Sequence, residues 1–240
     1  MTDLVKGFFV CGFGDPAAGV GGLAWDFGEP GALLLNEGEA RPGTFALEEG
    51  GDAATLEITA GDSTMEATLS PRTAEIALDG EVPSPTALVC VADVLPKEGV
   101  PAVQCAGQIS SWDGDPAKGA GIFRHLAIDA GEESLLLAVT RGDPGATHSD
   151  ERSGAWQIRG EEETRFEDAF LSTQYGGEED PTRFGLELWP EEAERASRAS
   201  ATRVAASSIG GARVGGAWAG LFRCHTDGSE GLGSYLIWRE

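Results

Sequence analysis

Between Ala53 and Leu78 apolar and polar residues alternate with a period of two. Leu56 and Ile58 alternate with Thr55, Glu57 and Thr59. After Ala60-Gly61-Asp62-Ser63, Met65, Ala67 and Leu69 alternate with Thr64, Glu66 and Thr68. After Ser70-Pro71-Arg72, Ala74, Ile76 and Leu78 alternate with Thr73, Glu75 and Ala77. Successive side chains of a strand point to opposite faces, so the pattern predicts three half-buried antiparallel strands in a meander.

Similar short runs occur along the whole chain. Val5–Phe13, Leu23–Phe27, Ala32–Leu35 and Thr44–Glu48 precede the meander. Thr86–Leu95, Ala102–Trp112, Ile122–Ile128, Ser134–Thr140, Ala155–Ile158, Thr164–Ser172, Arg183–Trp189, Ala217–Cys224 and Ser234–Trp238 follow it. Short strands at this spacing suit a sandwich or barrel. The segment Asp129-Ala130-Gly131-Glu132-Glu133 between two of them is a hairpin signal. One helix is predicted, from Pro190-Glu191-Glu192-Ala193-Glu194 with a weak face of Ala193, Ala196 and Ala199. The Gly-rich Ser207–Gly216 reads as loop. The expectation is an all-β protein of antiparallel strands in two barrel-like or sandwich-like halves. The Pro-rich Glu81–Pro85 marks the boundary, giving halves 1–82 and 83–240 or one continuous β domain.

Composition narrows the function classes. Glycine, 35 of 240 residues, runs at about twice ordinary usage and sits between apolar runs, as many tight turns require. The net charge of −23 repels phosphate backbones and anionic headgroups, arguing against nucleic acid and membrane surfaces as partners. Met1-Thr2-Asp3 lacks a basic leader, and no apolar run approaches the ~20 residues of a membrane span. A cytoplasmic location without membrane insertion is the expectation. Cys11, Cys90, Cys105 and Cys224 are widely spaced with no C-x-x-C pair, which reads as buried thiols. Cys90 and Cys105 are candidates to face each other on neighbouring strands.

Candidate chemistry is diffuse. Aromatic residues recur on most strands, and inward-facing ones in a barrel line an apolar cavity for a lipophilic ligand. Trp112, Trp156, Trp218 and Phe123 are the candidate ligand-binding residues. In one strand Phe123, His125 and Ala127 share a face, and Arg124, Leu126 and Ile128 take the other. A His or Arg in an apolar cavity suits a general acid or an orienting group. His125, Arg124 and Asp168 are therefore the catalytic candidates. An alternative reading places iron(II) on His148, Asp150 and His225, two histidines and a carboxylate. Cys224 and His225 are adjacent in a strand and point apart, so they do not form a nucleophile–base pair. Gly12-Phe13-Gly14 lacks the third glycine and the βαβ setting of a dinucleotide site. No cofactor is expected under the leading reading.

The run Arg124 to His148, followed by Gly154-Ala155-Trp156, resembles segments of the lipocalin-like proteins related to carotenoid 1,2-hydratases and tocopherol cyclases. Ser110-Ser111-Trp112 and Gly231-Leu232-Gly233-Ser234-Tyr235 are similar in character. The resemblance covers about a quarter of the chain and transfers no catalytic position. It implies a pair of small antiparallel barrels, or a fused sandwich, with an apolar pocket for a terpenoid-like or lipid ligand. Three classes of function follow. The first is binding of a small lipophilic molecule, with its protonation or hydration as the chemistry. The second is an iron(II) oxygenase, and the third a non-catalytic protein-interaction module.

Overall fold

The computed structural model describes residues 5, 7–78, 82–96, 102–142, 150–166, 168–176, 181–190, 196–209, 216–226 and 228–239. Seventeen strands and no α-helix occur among them. The chain divides into two compact units.

The first unit is a closed up-and-down barrel of β1 (Phe8–Asp15), β2 (Val20–Asp26), β3 (Pro30–Asn36), β4 (Glu39–Gly50), β5 (Ala53–Ala60), β6 (Ser63–Pro71), β7 (Thr86–Pro96) and β8 (Val103–Trp112). Closure is made by β1, where Cys11 faces Ala24 of β2 on one side and Ile109 of β8 on the other. The alternation read from the sequence sets the faces. Leu56, Ile58, Met65, Ala67 and Leu69 lie in the barrel core with Phe9, Phe13, Leu34, Leu88 and Ile109. A closed barrel has no strand edge to protect, and its interior here is packed with side chains.

Two expectations change in this unit. Ile76 and Leu78 are buried, yet Thr73–Leu78 is not a third meander strand; it makes one bridge, Ile76 to Ala87. The ladder position beside β6 is taken by β7, with Leu69 facing Ala92, so the segment has no free edge to join. The Pro-rich break therefore lies between two strands of one barrel. The units divide instead after Gly114, with Ala77–Ser84 counted in the second unit. Cys105 faces Ala92, and Cys90 faces Gly107; the four cysteines are free thiols. Burial, with Cys90 nearby, pushes the Cys11 thiol well above its ordinary range.

The second unit is one nine-stranded antiparallel sheet. Its strands are β9 (Ile122–Ala130), β10 (Glu133–Arg141), β11 (Glu151–Arg159), β12 (Glu162–Phe166), β13 (Asp168–Tyr175), β14 (Pro181–Trp189), β15 (Ser197–Ile209), β16 (Ala217–His225) and β17 (Glu230–Arg239). The spatial order is β12-β11-β10-β9-β17-β16-β15-β14-β13. The sheet curls until β13 comes beside β11, where the Ala169 N–H donates to Ser153 Oγ at 3.2 Å. Leu126, Leu137, Leu171, Phe184, Phe222 and Tyr235 share its interior core. Phe184, Phe222 and Tyr235 pack mutually with ring centroids 5.3–5.7 Å apart.

β15 replaces part of the expected helix and loop. Residues 191–195 lie outside those described, but Ala199 is in a strand that continues to Ile209. Its small residues mask the strand pattern, because Ala199 and Ala201 face inward while Arg198, Ser200 and Thr202 face out. Ala201 lies between Phe184 and Cys224 across the ladders.

Close backbone approach sets one sharp requirement in this sheet. A Cβ at Gly231 would come within 1.7 Å of the Asp129 carbonyl oxygen, whereas one at Gly50 would meet nothing within 4 Å. Gly231→Ala is expected to destabilise the fold by about 3 kcal/mol or more, and Gly50→Ala by no more than about 0.5 kcal/mol. Urea unfolding of the two variants checks both; equal midpoints would show that β17 can move away from β9.

Candidate functional site

The row of side chains that starts at Ser172 forms a groove on the second unit. β13 and β14 alternate between buried and exposed positions, and their outward residues pair across the ladder. Phe170 faces Glu187, which faces Arg198 of β15. One pair along, Ser172 faces Gly185, and Gly185 faces Ser200. Cross-strand partners stand side by side on one face. Two serines and a glycine therefore make a trench beside taller walls of Phe170, Glu187 and Arg198.

The trench is a groove of ≈ 710 Å³, lined by Phe170, Leu171, Ser172, Gly185, Leu186, Glu187, Arg198, Ala199, Ser200, His225 and Thr226. That volume suits a small organic ligand. Leu171, Leu186 and Ala199 belong to the core cluster and complete its floor. Phe170 is 56 % exposed and Trp189, at the neighbouring outward position of β14, is 38 % exposed. Arg198 Nε donates to Glu187 Oε1 at 3.1 Å. The serine row continues beyond the trench: Ser200 faces His225, and His225 faces Glu230. His225 Nδ1 lies 3.4 Å from Glu230 Oε1. Thr226 Oγ1 is buried without a hydrogen-bond partner.

A second polar group lies inside the curled sheet. Arg124 Nη1 donates to the Leu171 carbonyl at 2.9 Å, and its Nη2 donates to Glu151 Oε1, which also accepts from Arg141. Tyr235 and Thr173 hydroxyls are 2.7 Å apart. Burial raises the Tyr235 phenol well above its ordinary range, against the opposing pull of Arg124, so it remains protonated.

The structure disperses the residues singled out from sequence. Arg124 and His125 take opposite faces of β9, and Asp168 is exposed on the outside of β13. Phe123, His125 and Trp156 share the face opposite the interior core, and all are buried. Trp218 packs against the interior core. Trp112 belongs to the first unit, its ring 5.9 Å from that of Phe27. Of the proposed iron ligands, His148 lies outside the described residues. Asp150 precedes β11, whereas His225 ends β16; these are opposite ends of the strands, as the pairings Arg141–Glu151, Arg141–Ile122, Ile122–Arg239 and His225–Glu230 require. No group of three or more His, Cys, Asp or Glu residues fit for a metal occurs among the described residues.

His125 supplies a pH test. It is fully buried, and desolvation lowers its pKa from the model-compound value of 6.5 to about 3, against a hydrogen bond to the Leu137 backbone that favours the charged form. The unfolded chain takes up this proton below pH 6.5, while the folded chain refuses it until about pH 3. The stabilisation is therefore complete above pH 6.5 and is lost as pH falls towards 3, at roughly 1.4 kcal/mol per pH unit. His125→Gln should remove this slope: between pH 6.5 and 4 the wild type loses roughly 3 kcal/mol more than the variant. Urea midpoints measured across that range decide it, and parallel curves would refute a neutral buried imidazole.

Neither a family nor a curated protein matches this sequence. Solved structures do match in shape. A protein provisionally named AttH from Nitrosomonas europaea is 13 % identical with a TM-score of 0.65, over 96 % of this chain and 91 % of that one. CghA solved with Sch210972 is 9 % identical with a TM-score of 0.56, over 97 % of this chain and 88 % of that one. CghA in a further structure gives a TM-score of 0.57 at the same identity and coverage. At these identities the likeness establishes the fold alone: two antiparallel barrel-like sheets of the lipocalin-like kind.

Proposed function

We propose that this protein binds a small, uncharged lipophilic molecule in the groove over β13, β14 and β15. The observation that carries the reading is the groove itself, ≈ 710 Å³, with Ser172, Gly185 and Ser200 along the trench and Phe170, Glu187 and Arg198 beside them. Apolar walls with a few fixed polar groups are the ordinary make-up of a ligand site, the first providing affinity and the second orientation. An exposed phenylalanine is costly to leave in water and gains by being covered. The net charge of −23 disfavours an anionic ligand, which makes an uncharged one the better fit. CghA, a neighbour in fold, was solved with Sch210972, which is consistent with this class of function.

Hydration or protonation of an alkene, the chemistry implied by the sequence resemblance, has less support. His125 is buried with a depressed pKa and is neutral at neutral pH, which makes it a poor general acid. It also lies on a different face of its strand from Arg124.

Gly185 gives a clean test. A Cβ there would meet only Ser172 Oγ, at 3.1 Å, and that hydroxyl can rotate away. Gly185→Leu should therefore fold while filling the trench. The neutral fluorophore N-phenyl-1-naphthylamine is expected to bind the wild type saturably, and Gly185→Leu to weaken it by about tenfold or more, about 1.4 kcal/mol. Equal affinity in the two proteins would place any binding elsewhere.

A further inference from the structure

Ser200, His225 and Glu230 stand in one outward-facing row on three consecutive strands of the sheet. We propose that this row is a catalytic triad that hydrolyses an uncharged lipophilic ester held in the groove. The proposal rests on the groove being a ligand site and adds to it a reaction and a substrate class.

The geometry supplies each role. Ser200 and His225 both line the groove and are direct cross-strand partners. Such partners have Cβ atoms roughly 5 Å apart, which brings a serine hydroxyl within reach of an imidazole. Glu230 is the cross-strand partner of His225 on its other side, and its Oε1 lies 3.4 Å from Nδ1. A carboxylate that closes onto Nδ1–H would hold the proton there and leave Nε2 as the acceptor, the arrangement that activates a serine. The order nucleophile, imidazole, carboxylate thus follows from register alone.

Developing charge has a donor on the same face. Arg198, two residues from Ser200 on β15 and also in the groove lining, carries a guanidinium paired with Glu187 at 3.1 Å. Its other N–H groups are the donors that an ester oxygen would meet as it becomes an oxyanion.

The steps balance without a redox partner. Ser200 Oγ bonds to the ester carbonyl carbon as its proton passes to His225 Nε2. The carbon–oxygen bond to the alcohol then breaks, and the alcohol leaves with that proton. Water, deprotonated by His225, attacks the acyl-serine; the carboxylic acid departs and Ser200 regains its proton. Phe170, on the neighbouring row, lies along the acyl chain.

The test uses the full chain and p-nitrophenyl octanoate. The wild type is expected to hydrolyse it above the buffer rate. Ser200→Ala and His225→Gln should each lower kcat by at least about a hundredfold. Glu230 acts through His225, so Glu230→Gln should lower kcat by about tenfold or more with KM unchanged. A fluorophosphonate should label the wild type on the peptide containing Ser200 and leave Ser200→Ala unlabelled. The urea midpoint of Ser200→Ala should match that of the wild type, because Ser200 is exposed. Fluorophore binding that responds to Gly185→Leu, with no hydrolysis or with hydrolysis that survives Ser200→Ala, overturns the triad and leaves the ligand site standing. Binding that ignores Gly185→Leu overturns the ligand site as well.

Discussion

The second unit depends on how an unfinished sheet satisfies its edges. A strand edge away from water leaves N–H and C=O groups that must find partners. The first unit solves the problem by pairing β8 with β1. In the second unit β12 and β13 are the terminal strands of the sheet. Side chains close the seam in place of a full ladder. Ser153 of β11 accepts from the Ala169 N–H, and Arg124 reaches across the interior from β9 to the Leu171 carbonyl. Tyr235 of β17 joins Thr173 of β13 by their hydroxyls. A buried guanidinium is expensive to desolvate; here it is matched by Glu151 and by a carbonyl of an edge strand. Arg124 therefore has a structural occupation, and the curled shape of the sheet rests on it.

That seam decides where a ligand can lie. The interior side of β13 and β14 is occupied by Leu171, Phe184 and Leu186, all in the core cluster. The outside of the same strands carries Ser172 and Gly185 between longer side chains. A groove arises there because a glycine occurs at an outward position between two serines, so the surface dips by the depth of a side chain. The same small residues leave the groove floor close to the backbone, which fixes its shape more firmly than a loop would.

Much of the fold is legible in the sequence because half-buried strands alternate. Leu56, Ile58, Met65 and Leu69 announce their strands and their inward face. The lesson of Thr73–Leu78 is that alternation reports burial and not pairing: Ile76 and Leu78 are buried as the pattern requires, with β7 occupying the ladder. β15 is illegible for the opposite reason. Its inward residues Ala199 and Ala201 are too small to stand out from Ser200 and Thr202. The groove row needs more than local pattern. Ser172, Gly185, Ser200, His225 and Glu230 come from five strands, and only register brings them side by side. His225 alone drew notice, as a metal ligand. The discounting of Cys224 as its partner holds, since Cys224 belongs to the interior core and His225 faces out.

The exposure of the row bears on how it would work. The side chains of His225 and Glu230 are 51 % and 54 % exposed. Between such groups water screens most of the attraction, and the pair holds its geometry loosely. A lipophilic ligand lying over Ser200 and against Phe170 would exclude that water. At the lower effective dielectric the carboxylate then holds an Nδ1–H more strongly, and the imidazole is kept with Nε2 towards the serine. Binding and competence are thereby coupled: the row is weakly organised in solvent and becomes organised under the molecule it acts on. A site of this kind needs no deep cavity. It needs a surface trench whose walls bring the ligand down onto the row, and the alternation of Phe170, Ser172 and Gly185 on neighbouring strands provides one.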